Sequence, residues 1–419
     1  MSETLSRGAR VAVLACACTG LIFDGIELGL MPVASLSVSR SLLGDAYTPE
    51  LGGVWFARFT AALMLGAAIG GILLGNLGDR VGRTRAMGIS ILFYSIFALA
   101  GGWVRSQEEM LAMRFLVGLG VGGMWPNGMA LVAECWSEGS RPVVSGVMSA
   151  GLNFGILLLS QLARFLPITS DSWRWLFFLG GIPAVLGVVV LLFLPESPRW
   201  LASQQRVRQA PPAIRELFTS TLLPTTLTAM LVAAIPLVAA WSAGKWMIPW
   251  ADHVASPTDP GYKATTQGWW ALGATLGSFT GAQLVRWLGR RRSYLLISFG
   301  ALSSTVAMFQ LSAPLEPSFH LLVFLQGFLA TLFFGWLAVF LPAFFPERIR
   351  ASGAGLAFNV GRFATAAGVF TAGSLFTTFA GSYARIGTIC GLIYGLGLVA
   401  TWLLPAEPVS AAEGSAAPG

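Results

Sequence analysis

Long apolar segments alternate with short charged loops along the whole chain, and few folds tolerate that pattern. Twelve segments are mostly apolar over about twenty positions or more: 11–36, 51–77, 86–105, 109–133, 142–167, 174–194, 221–250, 266–288, 293–313, 319–344, 352–379 and 384–404. A helix of that length crosses the hydrocarbon core of a bilayer, where each backbone N–H and C=O must be satisfied within the structure itself. The segments predict an all-α membrane protein with twelve transmembrane helices. Only 11% of the residues are charged, against about 25% in soluble domains.

The polar stretch 195–220, with Pro211-Pro212, separates six segments from six. It divides the chain into a first bundle, 1–194, a cytoplasmic linker, 195–220, a second bundle, 221–404, and a tail, 405–419. The tail is rich in Ala, Gly, Ser and Pro and is expected to be disordered.

Net charge is +7, and its distribution carries the information. Arg7, Arg10, Arg80, Arg83, Arg85, Arg141, Arg199, Arg206, Arg208, Arg215, Arg290, Arg291, Arg292, Arg348 and Arg350 all fall in loops on one side of the predicted topology. The other side holds Arg40, Arg105, Arg174, Lys263 and Arg385. The positive-inside rule then places both termini in the cytoplasm of a multi-pass plasma (inner) membrane protein. Topology accounts for the basic residues, so nucleic acid is not an expected partner. The basic start reads as a retained first helix, because its apolar run continues to Leu36 with no cleavage signal. The four cysteines show no metal-ligand spacing with histidine and no disulfide framework. His253 and His320 fall near predicted outer helix ends, so proton chemistry at depth would fall to carboxylates.

The halves repeat one another. Gly75 to Arg85, containing Asp79-Arg80-Val81-Gly82-Arg83, matches Ala282 to Arg292, containing Gly289-Arg290-Arg291. Glu134, Arg141 and Ser145-Gly146 match Glu347, Arg350 and Ser352-Gly353. Such a duplication predicts two pseudo-symmetric six-helix bundles, with a substrate site between them near the midplane.

These residues carry a family likeness. Gly75 with Asp79-Arg80-Val81-Gly82-Arg83 resembles the loop signature of the major facilitator superfamily. Pro195-Glu196-Ser197-Pro198-Arg199-Trp200 resembles the sugar-porter ending of the sixth helix. Arg114 with Gly118, Gly120 and Gly122 resembles a pattern shared by sugar porters and organic-acid/proton symporters. Asp24-Gly25-Ile26-Glu27 resembles the first-helix motif of aromatic-acid and metabolite/proton symporters, with Ile26 for its aromatic residue and Glu27 for its second Asp. The fifth segment lacks the Gly-Pro-rich signature of drug antiporters, which counts against drug export. The likeness implies a major facilitator fold working by alternating access.

A charge at membrane depth costs about 2.5–3.5 kcal/mol or more, which marks Asp24, Glu27, Arg114 and Arg362 as functional candidates. At 1.5 Å per residue, Glu27 and Arg114 fall at similar depths and are expected to pair. That pairing makes Glu27 the favoured proton carrier, with Asp24 one turn away as its companion. Arg362 lies near the midplane, too deep to snorkel easily, and the resemblance implies a carboxylate-binding cation there. Lys245, flanked by Trp241 and Trp246, is expected either to help capture an anion or to snorkel. Asn153 and Asn359, in loosely corresponding places of the halves, with Asn127 and Gln326, are further candidates for substrate binding. Gly75, Asp79, Arg80, Gly82, Arg83, Glu134, Arg141, Glu347 and Arg350 lie at inner helix ends and are assigned to a cytoplasmic gate holding the outward-facing state.

The expected function is proton-coupled uptake of a small organic anion, an aromatic or other carboxylate, by a monomer working in a lipid bilayer. No cofactor is expected beyond the coupling proton. A sugar/proton symporter and a non-transporting solute sensor are the alternatives. No nucleophile/base or metal set falls at one depth, so an enzyme is not expected.

Overall fold

The computed structural model of the chain describes residues 5–136, 141–205, 214–346 and 349–404. The predicted tail 405–419 lies outside them. The first half comprises α1 (Arg7–Leu43), α2 (Pro49–Val81), α3 (Arg83–Gly101), α4 (Gln107–Cys135) and α5 (Arg141–Phe165). Its last crossing is two pieces, α6 (Arg174–Gly181) and α7 (Pro183–Phe193). Pro183 has no N–H to continue the ladder, so the chain restarts there. Linker helix α8 (Pro198–Gln205) follows.

The second half opens with α9 (Leu223–Ser242) and α10 (Met247–Ala255), joined by the single turn Gly244–Trp246. Then come α11 (Tyr262–Leu288), α12 (Arg290–Gln310), α13 (Phe319–Phe340), α14 (Arg350–Thr378), α15 (Tyr383–Gly391) and α16 (Ile393–Ala400). Local chemistry sets several of these ends. Ser6, Thr48 and Ser106 each accept a hydrogen bond from the third residue beyond, capping α1, α2 and α4. Pro49 follows Thr48 in the first turn of α2, where its missing N–H costs nothing.

Among the described residues, ten helical stretches are long and apolar enough to cross a membrane. Two predicted spans are missing from that set although their helices form. These are α11, of 27 residues, and α14, of 29. They are the more polar because they carry Lys263, Gln267, Ser278, Asn359 and Arg362.

Duplication is visible in the packing. In the first half α2 packs on α4, α1 on α5 and α3 on α4; in the second, α11 packs on α13, α9 on α14 and α12 on α13. Small residues let these helices touch backbone to backbone. A Cβ at Gly70 of α2 would sit 1.9 Å from the Leu119 carbonyl oxygen, and one at Gly122 of α4 would sit 2.2 Å from that of Ala67. The second half repeats the device: a Cβ at Gly273 of α11 would meet the Phe324 carbonyl oxygen at 2.2 Å, and one at Gly327 of α13 that of Trp270 at 2.3 Å. Gly82 and Gly289, at φ 113° and 77°, turn the chain between α2 and α3 and between α11 and α12. Residues with a Cβ rarely adopt that backbone, so both copies keep glycine.

The halves meet along α2 with α14 and α5 with α11. At one end the seam is plugged by rings. Trp246 stacks on Phe376 at 4.9 Å and meets Phe56 edge-on at 5.1 Å, and Tyr383 packs on Phe376 at 4.8 Å. At the other end the halves part around a vestibule of about 650 Å³, lined by Gly71, Pro126, Gly146, Ala282, Pro342 and Gly355 among others. The vestibule opens on the side of the basic loops.

A buried lysine latches the plugged end. Lys263, at the start of α11, is 3% exposed. Its Nζ donates to the Ser37 hydroxyl at 3.1 Å and the Ile168 carbonyl at 3.0 Å, both on the first half. It also pairs with Asp252 of its own half at 3.1 Å. Opening this end must break the two cross-half bonds. A hydrogen bond made by a charged group is worth about 1.5–3 kcal/mol. Two such bonds total at least about 3 kcal/mol, so Lys263→Met is expected to raise alkylation of a cysteine placed at Ala57, buried in the seam, by about a hundredfold or more. The measurement uses a variant otherwise free of cysteine and an impermeant maleimide added on the side away from the termini. Unchanged labelling would show that the contact does not hold the seam.

Candidate functional site

Close backbone approach fixes Asp24. A Cβ at Gly25 would lie 1.8 Å from the Leu152 carbonyl oxygen, and one at Gly155 would lie 1.9 Å from that of Ile22. Only glycine permits this contact between α1 and α5. It turns Asp24 into a cavity of about 130 Å³ between the halves. Asp24 is 1% exposed, and its Oδ1 has no hydrogen-bond donor among the described residues.

Two cations from the second half share that cavity, Lys245 and Arg362. Lys245, 2% exposed, does not snorkel. Its Nζ lies 3.3 Å from the ring centroid of Trp270 and 5.3 Å from that of Trp241, so it rests on π faces. Arg362 reaches across the seam from α14 and donates to the Ala67 carbonyl of α2 at 3.2 Å. It lines the vestibule as well as the cavity and stands at their junction.

Neutral groups complete the lining. Asn153 of α5 donates to the Ser278 hydroxyl of α11 at 2.9 Å, joining the halves across the cavity wall. Trp270 donates its indole N–H to Gln326 Oε1 at 2.8 Å. Asn359 lines the vestibule and donates to the Gly355 carbonyl at 3.0 Å. Apolar wall comes from Leu28, Met64, Val121 and Ile156. Such a site can hold a flat apolar body and an anionic end. Trp270 and Ser278 had no distinguishing mark in the sequence beyond their period on α11.

Other candidates lie elsewhere. Glu27 and Arg114 do form the expected pair: Arg114 Nη1 lies 2.9 Å from Glu27 Oε2, and Nη2 donates to the Glu27 carbonyl at 3.0 Å. Both are fully buried between α1 and α4, inside the first half and away from the cavity lining. Gly180 of α6 packs against the same carboxylate, since a Cβ there would sit 2.2 Å from Glu27 Oε1. Glu27 projects one turn beyond Asp24, and that turn rotates it off the seam. Asn127 is likewise outside the cavity lining. Its Nδ2 donates to the Leu74 and Gly123 carbonyls, both at 2.8 Å, and staples α2 to α4.

The loop charges assemble within the first half and its linker. Arg83 pairs with Asp79 at 2.6 Å and with Glu134 at 3.4 Å. The Ser197 hydroxyl donates to Glu134, and Glu196 accepts from the Thr84 backbone N–H at 3.0 Å. Trp200 donates its indole N–H to the Asp79 carbonyl at 3.0 Å. These bonds tie α2, α3, α4 and α8 together at the end where the halves have parted, and none of them crosses the seam. Gly75 lies near Pro126 of α4, and Gly82 makes the turn described above. Arg80 is exposed beside them. Arg350 donates to the Phe345 carbonyl at 3.4 Å, within the second half. Glu347 and the Arg141 side chain lie outside the described residues.

The architecture and sequence have recognisable relatives. A protein of Cupriavidus pinatubonensis named "Probable 4-methylmuconolactone transporter" is 31% identical over 83% of this chain and 80% of its own. The cis,cis-muconate transport protein of Acinetobacter baylyi is 29% identical over 85% of each chain. The E. coli xylose transporter XylE, solved in a partially occluded inward-open conformation, superposes with a TM-score of 0.74. That match covers 94% of this chain and 97% of XylE at 17% identity, and so speaks to the fold alone. The profile of the Major Facilitator Superfamily matches residues 13–369. The chain belongs to the major facilitator superfamily.

Proposed function

We propose that this protein is a proton-coupled importer of a small organic anion, an aromatic or other carboxylate, working by alternating access in a plasma (inner) membrane with both termini cytoplasmic. In this reading α11 and α14 also span the bilayer, bringing the crossings to twelve. Their polar residues face the path between the halves, which is why hydropathy undercounts them.

One observation carries the proposal. Asp24 from one half and Arg362 from the other line a single cavity on the seam. A substrate carboxylate at Arg362 and an ionised Asp24 would compete for one cation. Protonating Asp24 removes the competition, so proton and anion each promote binding of the other, as linkage requires. When the halves rock, Asp24 and Arg362 move relative to one another, whereas Glu27 and Arg114 travel together. The coupling role therefore falls to Asp24 rather than Glu27. The names of the muconate and muconolactone relatives support an organic anion. A sugar site has less use for two buried cations.

The test is uptake into proteoliposomes. An outside-acid gradient should drive accumulation of aromatic carboxylates, and dissipating it with a protonophore should stop accumulation. Equal uptake with and without the gradient would remove the proton. Uptake of neutral sugars in place of acids would remove the anion.

A further inference from the structure

We infer that Lys245 forms a second polar subsite at the closed end of the cavity, selecting acids with an oxygen acceptor opposite their carboxylate. The inference rests on the anion-carrier reading and narrows its substrate class to bifunctional acids, such as ring-hydroxylated or dicarboxylic aromatic acids.

Lysine carries three N–H donors and no acceptor. Among the described residues no protein atom accepts from Lys245 Nζ, although the residue is 2% exposed. The rings of Trp270 and Trp241 offset part of the desolvation cost of its charge but give its N–H groups no oxygen acceptor. The neighbouring amide makes no bond to it. Gln326 Oε1 accepts from Trp270, and its Nε2 donates to Thr305 at 3.4 Å. What this end of the cavity lacks is an acceptor, and a ligand is the natural source.

Position gives the subsite its selectivity. Lys245 lies in the turn beside Trp246, the centre of the aromatic plug, and lines the cavity but not the vestibule. Arg362 stands at the opposite, vestibule end. A ligand whose carboxylate meets Arg362 extends toward Lys245 between Trp241 and the apolar wall. An unsubstituted ring presents only C–H there and leaves the ammonium unmet. A hydroxyl or second carboxylate meets it, and sites built to hydrogen-bond an oxygen reject analogues that lack it.

Binding of benzoate, 4-hydroxybenzoate and terephthalate to the purified full chain tests this, because the three share one ring and differ at the para position. The two para-oxygen acids are expected to bind at least about tenfold more tightly than benzoate. In Lys245→Met that ratio should fall to about one, and in Lys245→Arg it should largely return. A purely structural lysine would weaken all three acids together and keep the ratio. Benzoate matching the others in the unaltered protein, or a ratio that survives Lys245→Met, overturns the subsite alone. Failure of all three acids to bind overturns the anion-carrier reading and the subsite with it.

Discussion

Asp24→Asn is expected to abolish pH-driven accumulation while substrate exchange across the membrane continues. Asparagine has the shape and neutrality of a protonated aspartate, so the cavity keeps its packing and Arg362 stays open to a carboxylate. What disappears is the group to which the proposed cycle assigns the loading of a proton with the anion on one side and its release on the other. With one proton per substrate, each pH unit sustains about a tenfold concentration ratio, since one unit is 1.36 kcal/mol. In the variant that ratio should fall to about one. Counterflow of labelled substrate, which needs no proton gradient, should remain within a few-fold of the unaltered protein. The two readings separate loss of coupling from loss of binding or folding. A variant that still concentrates substrate under an acid gradient would remove Asp24 from the coupling role.

Much of the architecture was legible because membrane physics leaves little choice. Apolar runs long enough to span must be helices, and the matching Gly75–Arg85 and Ala282–Arg292 loops announced the duplication later seen as paired glycine contacts in both halves. Hydropathy ranked α11 and α14 low for a reason that points to the site, since the helices that line the seam carry its polar groups. Depth counting brought Glu27 and Arg114 together, because rise per residue is nearly constant.

Rotation about the helix axis is what depth counting omits. Asp24 and Glu27 lie one turn apart, yet only Asp24 lines the cavity, and that choice rests on the contact of Gly25 with Leu152. In the sequence Lys245 reads equally as an anion-capturing cation and as a snorkelling belt residue, because Trp241 and Trp246 flank it. Its burial depends on Trp270, which lies on another helix and has no sequence relation to it. Lys263 read as an outer-loop charge for the same reason, since Ser37 and Ile168, its partners across the seam, are far away in the chain.

Glu27→Gln is expected to destabilise the protein rather than uncouple it. The substitution leaves the Arg114 guanidinium fully buried without its carboxylate partner. Breaking a buried pair by removing one member costs about 3–5 kcal/mol, because the remaining charge is uncompensated. That is a large share of the roughly 5–15 kcal/mol that holds a typical domain together. The midpoint of thermal unfolding in detergent and the yield of monodisperse protein should both fall. Whatever folds should still accumulate substrate under an acid gradient, because the cavity, Asp24 and Arg362 are untouched. Removing both charges, as in Glu27→Met with Arg114→Met, should restore much of the lost stability, since apolar replacement of a whole buried pair is often neutral or better. The contrast with Asp24→Asn, which should keep stability and lose coupling, gives the two carboxylates of the first helix opposite signatures. A Glu27→Gln protein that is as stable as the parent yet cannot accumulate substrate would reverse the assignment and return the proton to Glu27.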